Sequence, residues 1–141
     1  DGAAAAWRRF RLPQSPREAM VRLGVGGMVE FRRARSLEVL SESGDPFDLI
    51  FLDGDHRLET VVAEIPLALR RLRPGGLVLL HDFFPGLRAL WPDGKVIDGP
   101  ERAVRRLRRA GWPIAARPLG DLPWPTKQGT SRTSLAVLGR A

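Results

Sequence analysis

Two short apolar runs constrain this chain more than anything else in it. Phe47-Asp48-Leu49-Ile50-Phe51-Leu52 and Leu77-Val78-Leu79-Leu80 each break off abruptly into aspartate and histidine. A mostly apolar run of this length is what a strand buried on both faces requires. Between them Leu58, Val61, Val62, Ile65, Leu69 and Leu72 recur at three- and four-residue intervals, so they share one stripe of a helix that stops at Arg73-Pro74-Gly75-Gly76. Pro66 interrupts that stripe; inside a helix a proline removes one hydrogen bond and costs about 3 kcal/mol. Strand, helix and strand make a βαβ unit. Its right-handed crossover sets the strands parallel, with both carboxyl ends on one edge of the sheet.

The residues just beyond each run are chemically distinctive. The chain has only two histidines, one in Asp53-Gly54-Asp55-His56 and one in His81-Asp82, each placed directly after an apolar run. In open α/β sheets ligands bind outside the carboxyl ends of the strands, so the two clusters are expected to face one crevice. Carboxylates and imidazoles meeting there suit a hard divalent cation or a proton-transfer group that works near neutral pH. The plainer alternative is that Asp53 and Asp82 cap turns while the histidines bond to backbone.

Around this unit, Ser15-Pro16-Arg17-Glu18 reads as a helix start with an N-cap, a proline in the first turn and an acidic residue after it, running to about Leu23. Gly24-Val25-Gly26-Gly27 ends the helix, residues 28–33 alternate like a strand, and Ser36 caps a short helix over residues 37–41. Residues 85–100, rich in proline and glycine, form a loop placed to lie over the site. Residues 101–110 form a helix with Ala103, Val104 and Leu107 inward and Arg102, Arg105, Arg106, Arg108 and Arg109 outward. Residues 114–119 and 134–138 read as two further strands, antiparallel across the loop 120–133. Trp112 and Trp124 are expected to pack, while Trp91 either packs or faces substrate.

The 141 residues suit one domain, and the absence of cysteine excludes a disulfide scaffold, a thiolate metal site and a cysteine nucleophile. A net charge of +7 raises nucleic-acid binding as a function. Of the 23 basic residues, however, all but Lys95 and Lys127 are arginine. Together with abundant Ala, Gly and Pro, this is what GC-rich coding produces, and the arginine helix lacks interleaved aromatics for base stacking. No apolar run approaches the roughly 20 residues of a membrane span. The expectation is a soluble, cytoplasmic protein that binds neither nucleic acid nor membrane, with self-association left open.

The run from Phe47 to His56, followed by Leu72-Arg73-Pro74-Gly75-Gly76-Leu77-Val78 and then His81-Asp82, resembles the class I S-adenosylmethionine-dependent methyltransferases, in particular their small-molecule O-methyltransferase branch. The resemblance implies an α/β Rossmann-like fold with a mostly parallel sheet and a C-terminal antiparallel strand, in the strand order 3-2-1-4-5-7-6. The elements here correspond to strands three to seven. The first two strands and their glycine-rich loop are then missing, and residues 1–141 form the C-terminal portion of a methyltransferase domain.

The resemblance further implies S-adenosylmethionine as cofactor, Mg2+ as the candidate ion and a small molecule or sugar as the methyl acceptor. By position, Ser36 matches a residue near the adenine, Asp1 could be the acid that holds the ribose, and Asp53 matches a contact to the cofactor's amino group or to a metal. His81 and Asp82 match the rest of a metal-binding set. His56 matches a general base, with Asp55 beside it as a second catalytic candidate. Family members usually carry an acidic residue where this chain has Arg35, and metal-dependent ones carry a carboxylate where it has His81. Two other functions compete: a metal-dependent nucleotide-sugar glycosyltransferase using Asp53-Gly54-Asp55, and a non-catalytic basic nucleic-acid-binding module.

Overall fold

The computed structural model describes residues 14–126 and 129–140, in two compact units that divide between residues 34 and 35. In the first unit, helix α1 (Pro16–Arg22) opens with a capping box. Ser15 Oγ accepts from the Glu18 amide at 3.2 Å, and the Glu18 carboxylate accepts from the Ser15 amide at 2.7 Å. These bonds hold the Glu18 carboxyl below its ordinary range. Gly24 ends the helix at φ +74°, a left-handed turn that glycine adopts without strain. A single 3-10 turn, Gly26–Met28, comes next.

The strand expected over residues 28–33 does not form. These residues have no ladder partner among the described residues, and Met28 is 85% exposed. Alternating sequence alone does not satisfy backbone hydrogen bonds, and without a partner strand it leaves an irregular extended segment.

The second unit runs α2 (Ser36–Ser41), β1 (Phe47–Leu52), α3 (Leu58–Arg70), β2 (Leu72–Leu80), α4 (Gly99–Arg109), β3 (Ile114–Pro118) and β4 (Ala136–Arg140). Its four strands lie in the order β1-β2-β4-β3. β1 and β2 are parallel, and β4 is antiparallel to both of its neighbours. This is the 4-5-7-6 end of the strand order that the sequence resemblance implies. The Rossmann-like α/β reading therefore holds for this half of the sheet, with four strands where five were expected.

β2 begins earlier than the sequence suggests, because Arg73-Pro74-Gly75-Gly76 does not only end a helix. It forms an irregular stretch within the strand, across which the register slips between Phe47 and Leu49. Gly75 sits at φ +82°, and a Cβ on Gly76 would come within 3.0 Å of the Phe47 carbonyl oxygen and 3.1 Å of that of Asp48. Two glycines in succession let β2 turn and then close onto β1.

Alternate residues of the sheet carry the core. Leu52, Val78, Leu80, Ala136 and Leu138 point to one face, where Val61, Ile65, Ala68 and Leu69 of α3 and Ala103, Val104 and Leu107 of α4 close over them. Pro66 is accommodated inside α3 and buried there. The other face is open, with Leu49 54%, Phe51 52% and Leu77 47% exposed. The expectation that β1 is buried on both faces is thus corrected: both helices that follow the strands return to the same side.

Ile65 is fully buried at the centre of this layer. Ile65→Ala should destabilise the fold by about 2–5 kcal/mol through lost burial and the cavity left behind, measured as a shift in the urea unfolding midpoint at constant slope.

Candidate functional site

The parallel pairing of Leu52 with Leu80 brings both polar turns to one edge of the sheet. The His81 amide continues the ladder by donating to the Leu52 carbonyl at 3.0 Å. Asp53 and His81 therefore leave the sheet side by side, and His81 Nδ1 lies 2.7 Å from Asp53 Oδ1. Although that contact is short, the ring N–H does not point along it, so His81 Nδ1 is buried without a well-directed hydrogen bond.

His56 comes back toward the same point from the first turn. Its Nε2 is 3.3 Å from Asp82 Oδ2 and 3.8 Å from Asp53 Oδ1. The two imidazoles and two carboxylates thus alternate around one small space. Phe51 supports it from the open face of the sheet, edge-on to His81 with centroids 6.0 Å apart.

Each of these side chains is held by something behind it. Asp82 adopts φ +51°, a left-handed conformation that aspartate tolerates better than most residues. Its Oδ1 accepts from the hydroxyl of Ser134, a residue 2% exposed, at 3.2 Å. The neighbouring Phe83 amide donates to the Ser134 carbonyl at 2.7 Å, so Ser134 anchors the turn twice. Behind His56, a Cβ on Gly99 at the start of α4 would collide with the His56 carbonyl.

Asp55 is occupied differently. It accepts from the Arg57 amide at 3.0 Å, from the Arg57 guanidinium, and from the Thr60 hydroxyl at 2.9 Å. These bonds, the guanidinium first, hold its carboxyl far below the usual range, so it is a poor proton acceptor. Its evident work is to fix the start of α3. The structure gives no support to the catalytic role expected of it.

Ser36 is not the N-cap expected from sequence. Arg35 holds that position and Ser36 is the first helical residue, because the Glu38 carboxylate already accepts from the Arg35 amide at 3.1 Å. The freed Ser36 hydroxyl donates instead to the buried carboxyl of Glu64 on α3. Burial pushes the Glu64 carboxyl up, and the bond from Ser36 opposes that only in part. Asp1, the expected ribose ligand, lies outside the described residues, as does Trp7.

Among the described residues, the donors that converge closely enough for one cation are Asp53, His56 and His81, all within 4.8 Å of one another. Asp53 and His81 were expected in such a set, whereas His56 takes the place expected for Asp82. One carboxylate oxygen and two ring nitrogens do not fit Mg2+, which demands an octahedron of oxygens. Imidazole-rich sets suit Zn2+, Fe2+ and similar ions.

A cavity of about 270 Å3 opens beside His81 and Asp82, walled by Trp91, Thr126, Arg132 and Thr133. Trp91 therefore faces the site, edge-on to the buried Phe84 with ring centroids 5.8 Å apart. Trp124 is 58% exposed and Trp112 39% exposed, against the expectation that both pack. On α4, Arg102 and Arg105 pair with Asp98 and Glu101, each at 2.8 Å, and Arg108 donates to the Ile114 carbonyl at 2.9 Å. Much of that basic face is thus engaged within the protein. No helix among the described residues is long and apolar enough to cross a membrane.

Comparison with known proteins agrees with this geometry. A methyltransferase-domain family matches residues 2–83, a span that includes β1, α3, β2 and all four residues of the cluster. A catechol O-methyltransferase from Niastella koreensis is 32% identical over 114 residues, which cover 72% of this chain and 48% of that protein. The chain belongs to the class I S-adenosylmethionine-dependent methyltransferase family, on its O-methyltransferase side. The competing glycosyltransferase and nucleic-acid readings are not favoured.

Solved structures share the fold. A cofactor-bound protein from MTB superposes with a TM-score of 0.59 at 24% identity, over 86% of this chain and 53% of that one. The O-methyltransferase TomG from Streptomyces achromogenes, involved in tomaymycin synthesis and solved with S-adenosylmethionine, gives 0.57 at 23% identity, over 90% and 56%. The chain spans about half the length of the relatives it matches.

Two outcomes test the supports. Gly99→Ala should force the His56 turn or the start of α4 to shift, destabilising the fold by about 1–3 kcal/mol and displacing the His56 ring resonances in NMR spectra. For Glu64, a raised folded-state pKa means its stabilising contribution is complete below its ordinary value of 4.5 and is lost as pH rises through the raised value. Glu64→Gln keeps an acceptor for Ser36 but cannot ionise. Its stability relative to the unsubstituted protein should therefore improve as the pH of urea unfolding is raised above 4.5 and stay level below it.

Proposed function

We propose that this chain serves S-adenosylmethionine-dependent methyl transfer to a hydroxyl oxygen of a small molecule, with His56 accepting the hydroxyl proton. The observation that carries the reading is the approach of His56 Nε2 to Asp82 Oδ2 at 3.3 Å, beside a cavity at the carboxyl ends of two parallel strands. The Niastella koreensis relative, a catechol O-methyltransferase, supports an oxygen acceptor on a small molecule.

S-adenosylmethionine, when bound, supplies an activated methyl group whose bond to sulfur breaks as the bond to the acceptor oxygen forms. What the chain must add is alignment and the removal of one proton. With Nε2 turned toward the carboxylates of Asp82 and Asp53, the favoured tautomer carries hydrogen there and leaves Nδ1 to accept the hydroxyl proton. Asp82 stabilises the imidazolium that results, and Ser134 keeps Asp82 in place.

Asp53, its side chain 44% exposed, offers a carboxylate suited to the cofactor's ammonium group. Ser36 is the residue that the resemblance puts near the adenine, and its hydroxyl is held by the Glu64 carboxyl. Asp55 acts as a positioning residue through Arg57 and Thr60. Because the donor set does not fit Mg2+, no step depends on it.

The test is turnover with a catechol acceptor and labelled S-adenosylmethionine. His56→Ala should lower turnover about a hundredfold or more while cofactor affinity changes little. Unchanged turnover in that variant would remove His56 from the proton transfer.

A further inference from the structure

The cavity beside the cluster has a chemistry that the methyl-transfer reading does not use. Its lining joins His81 and Asp82 of the cluster to Trp91, Thr126 and Arg132. We propose that the acceptor is a single-ring molecule bearing an acidic group, with its ring against Trp91 and its carboxylate on Arg132. The identity of this ligand as the methyl acceptor rests on the function proposed above.

Size sets the first limit. Sites for drug-sized ligands run from about 300 to 1,000 Å3, so a cavity of about 270 Å3 takes one ring and its substituents. Trp91 supplies a flat wall, kept in orientation by its edge-on contact with Phe84, itself only 2% exposed.

Charge sets the second. Arg132 makes no ion pair with any described residue, yet its backbone is closely fixed. It bridges to Asp121 across the loop, the Thr133 amide donates to the Gly120 carbonyl at 3.0 Å, and the Leu122 amide donates to the Ser131 carbonyl at 2.8 Å. The Thr126 hydroxyl also donates to the Arg132 carbonyl. A permanently charged guanidinium on a fixed support is suited to bidentate capture of a carboxylate.

The opposite charges in the lining then orient a ligand. The Asp82 carboxylate repels an acidic substituent and Arg132 attracts it. A hydroxyl elsewhere on the ring is left facing His81, whose ring centroid lies 6.1 Å from that of His56.

Calorimetric titration of the protein with 3,4-dihydroxybenzoate and with catechol tests this directly. The carboxylated probe should bind at least about tenfold more tightly at low salt, and added salt should weaken that preference. In Arg132→Gln the two probes should bind within about threefold of each other, and Arg132→Lys should restore only part of the difference. Thermal unfolding of both variants should match the unsubstituted protein, since the side chain is exposed. Equal affinity for the two probes, saturable binding of neither, or a preference that survives Arg132→Gln would each overturn the proposal. Methyl transfer to both probes, scored separately, keeps the two readings apart. Transfer without discrimination defeats the acidic-acceptor proposal alone, and discrimination in binding without transfer defeats the methyl-transfer reading alone.

Discussion

The pairing of β1 with β2 is the constraint on which the site depends. Neither Asp53-Gly54-Asp55-His56 nor His81-Asp82 is a site by itself, since their closest members are 25 positions apart in the chain. They meet because Leu49 to Leu52 lie in unbroken parallel register with Leu77 to Leu80. Side chains in a strand alternate between faces, so a slip of one residue would exchange the buried and exposed sets and move His81 away from Asp53. The irregular Arg73-Pro74-Gly75-Gly76 stretch upstream absorbs the mismatch before the register that matters begins. The apolar stripe of α3, centred on Ile65, then holds the pair from one side.

Much of this was legible in the sequence because it is written in local patterns. The apolar runs and the stripe of α3 announced the βαβ unit, and the position of the histidines just past the strands announced the crevice. The strand expected over residues 28–33 failed for a physical reason: alternation describes a strand's faces but says nothing about its hydrogen-bonding partner. Two-sided burial of β1 failed similarly, because composition records what a strand tolerates, not which helices return to cover it.

The supports of the site were illegible for a different reason, which is distance along the chain. Ser134 reaches Asp82 across 52 residues and Glu64 reaches Ser36 across 28, and no periodicity marks either pair. Gly99 reads locally as part of the proline- and glycine-rich loop over residues 85–100. Only the approach of the His56 carbonyl shows why a side chain there is not accommodated. Asp55 shows the converse: adjacent to His56 and the same residue type as Asp53, it is diverted by Arg57 and Thr60 into holding the turn.

The alternation of imidazole and carboxylate lets two carboxylates share one small space at the mouth of an apolar sheet. Asp53 and Asp82 are both held close to the same two rings. His56 faces both carboxylates with one nitrogen, and His81 does the same from the other strand. Each ring therefore stands against two carboxylates already held in place by the backbone. Such preorganisation is what proton removal from an acceptor hydroxyl demands. It also explains why the supports lie so far away in sequence: two short turns can supply the reactive groups, but only the packed elements behind them, Ser134 before β4 and Gly99 at the start of α4, can hold them still.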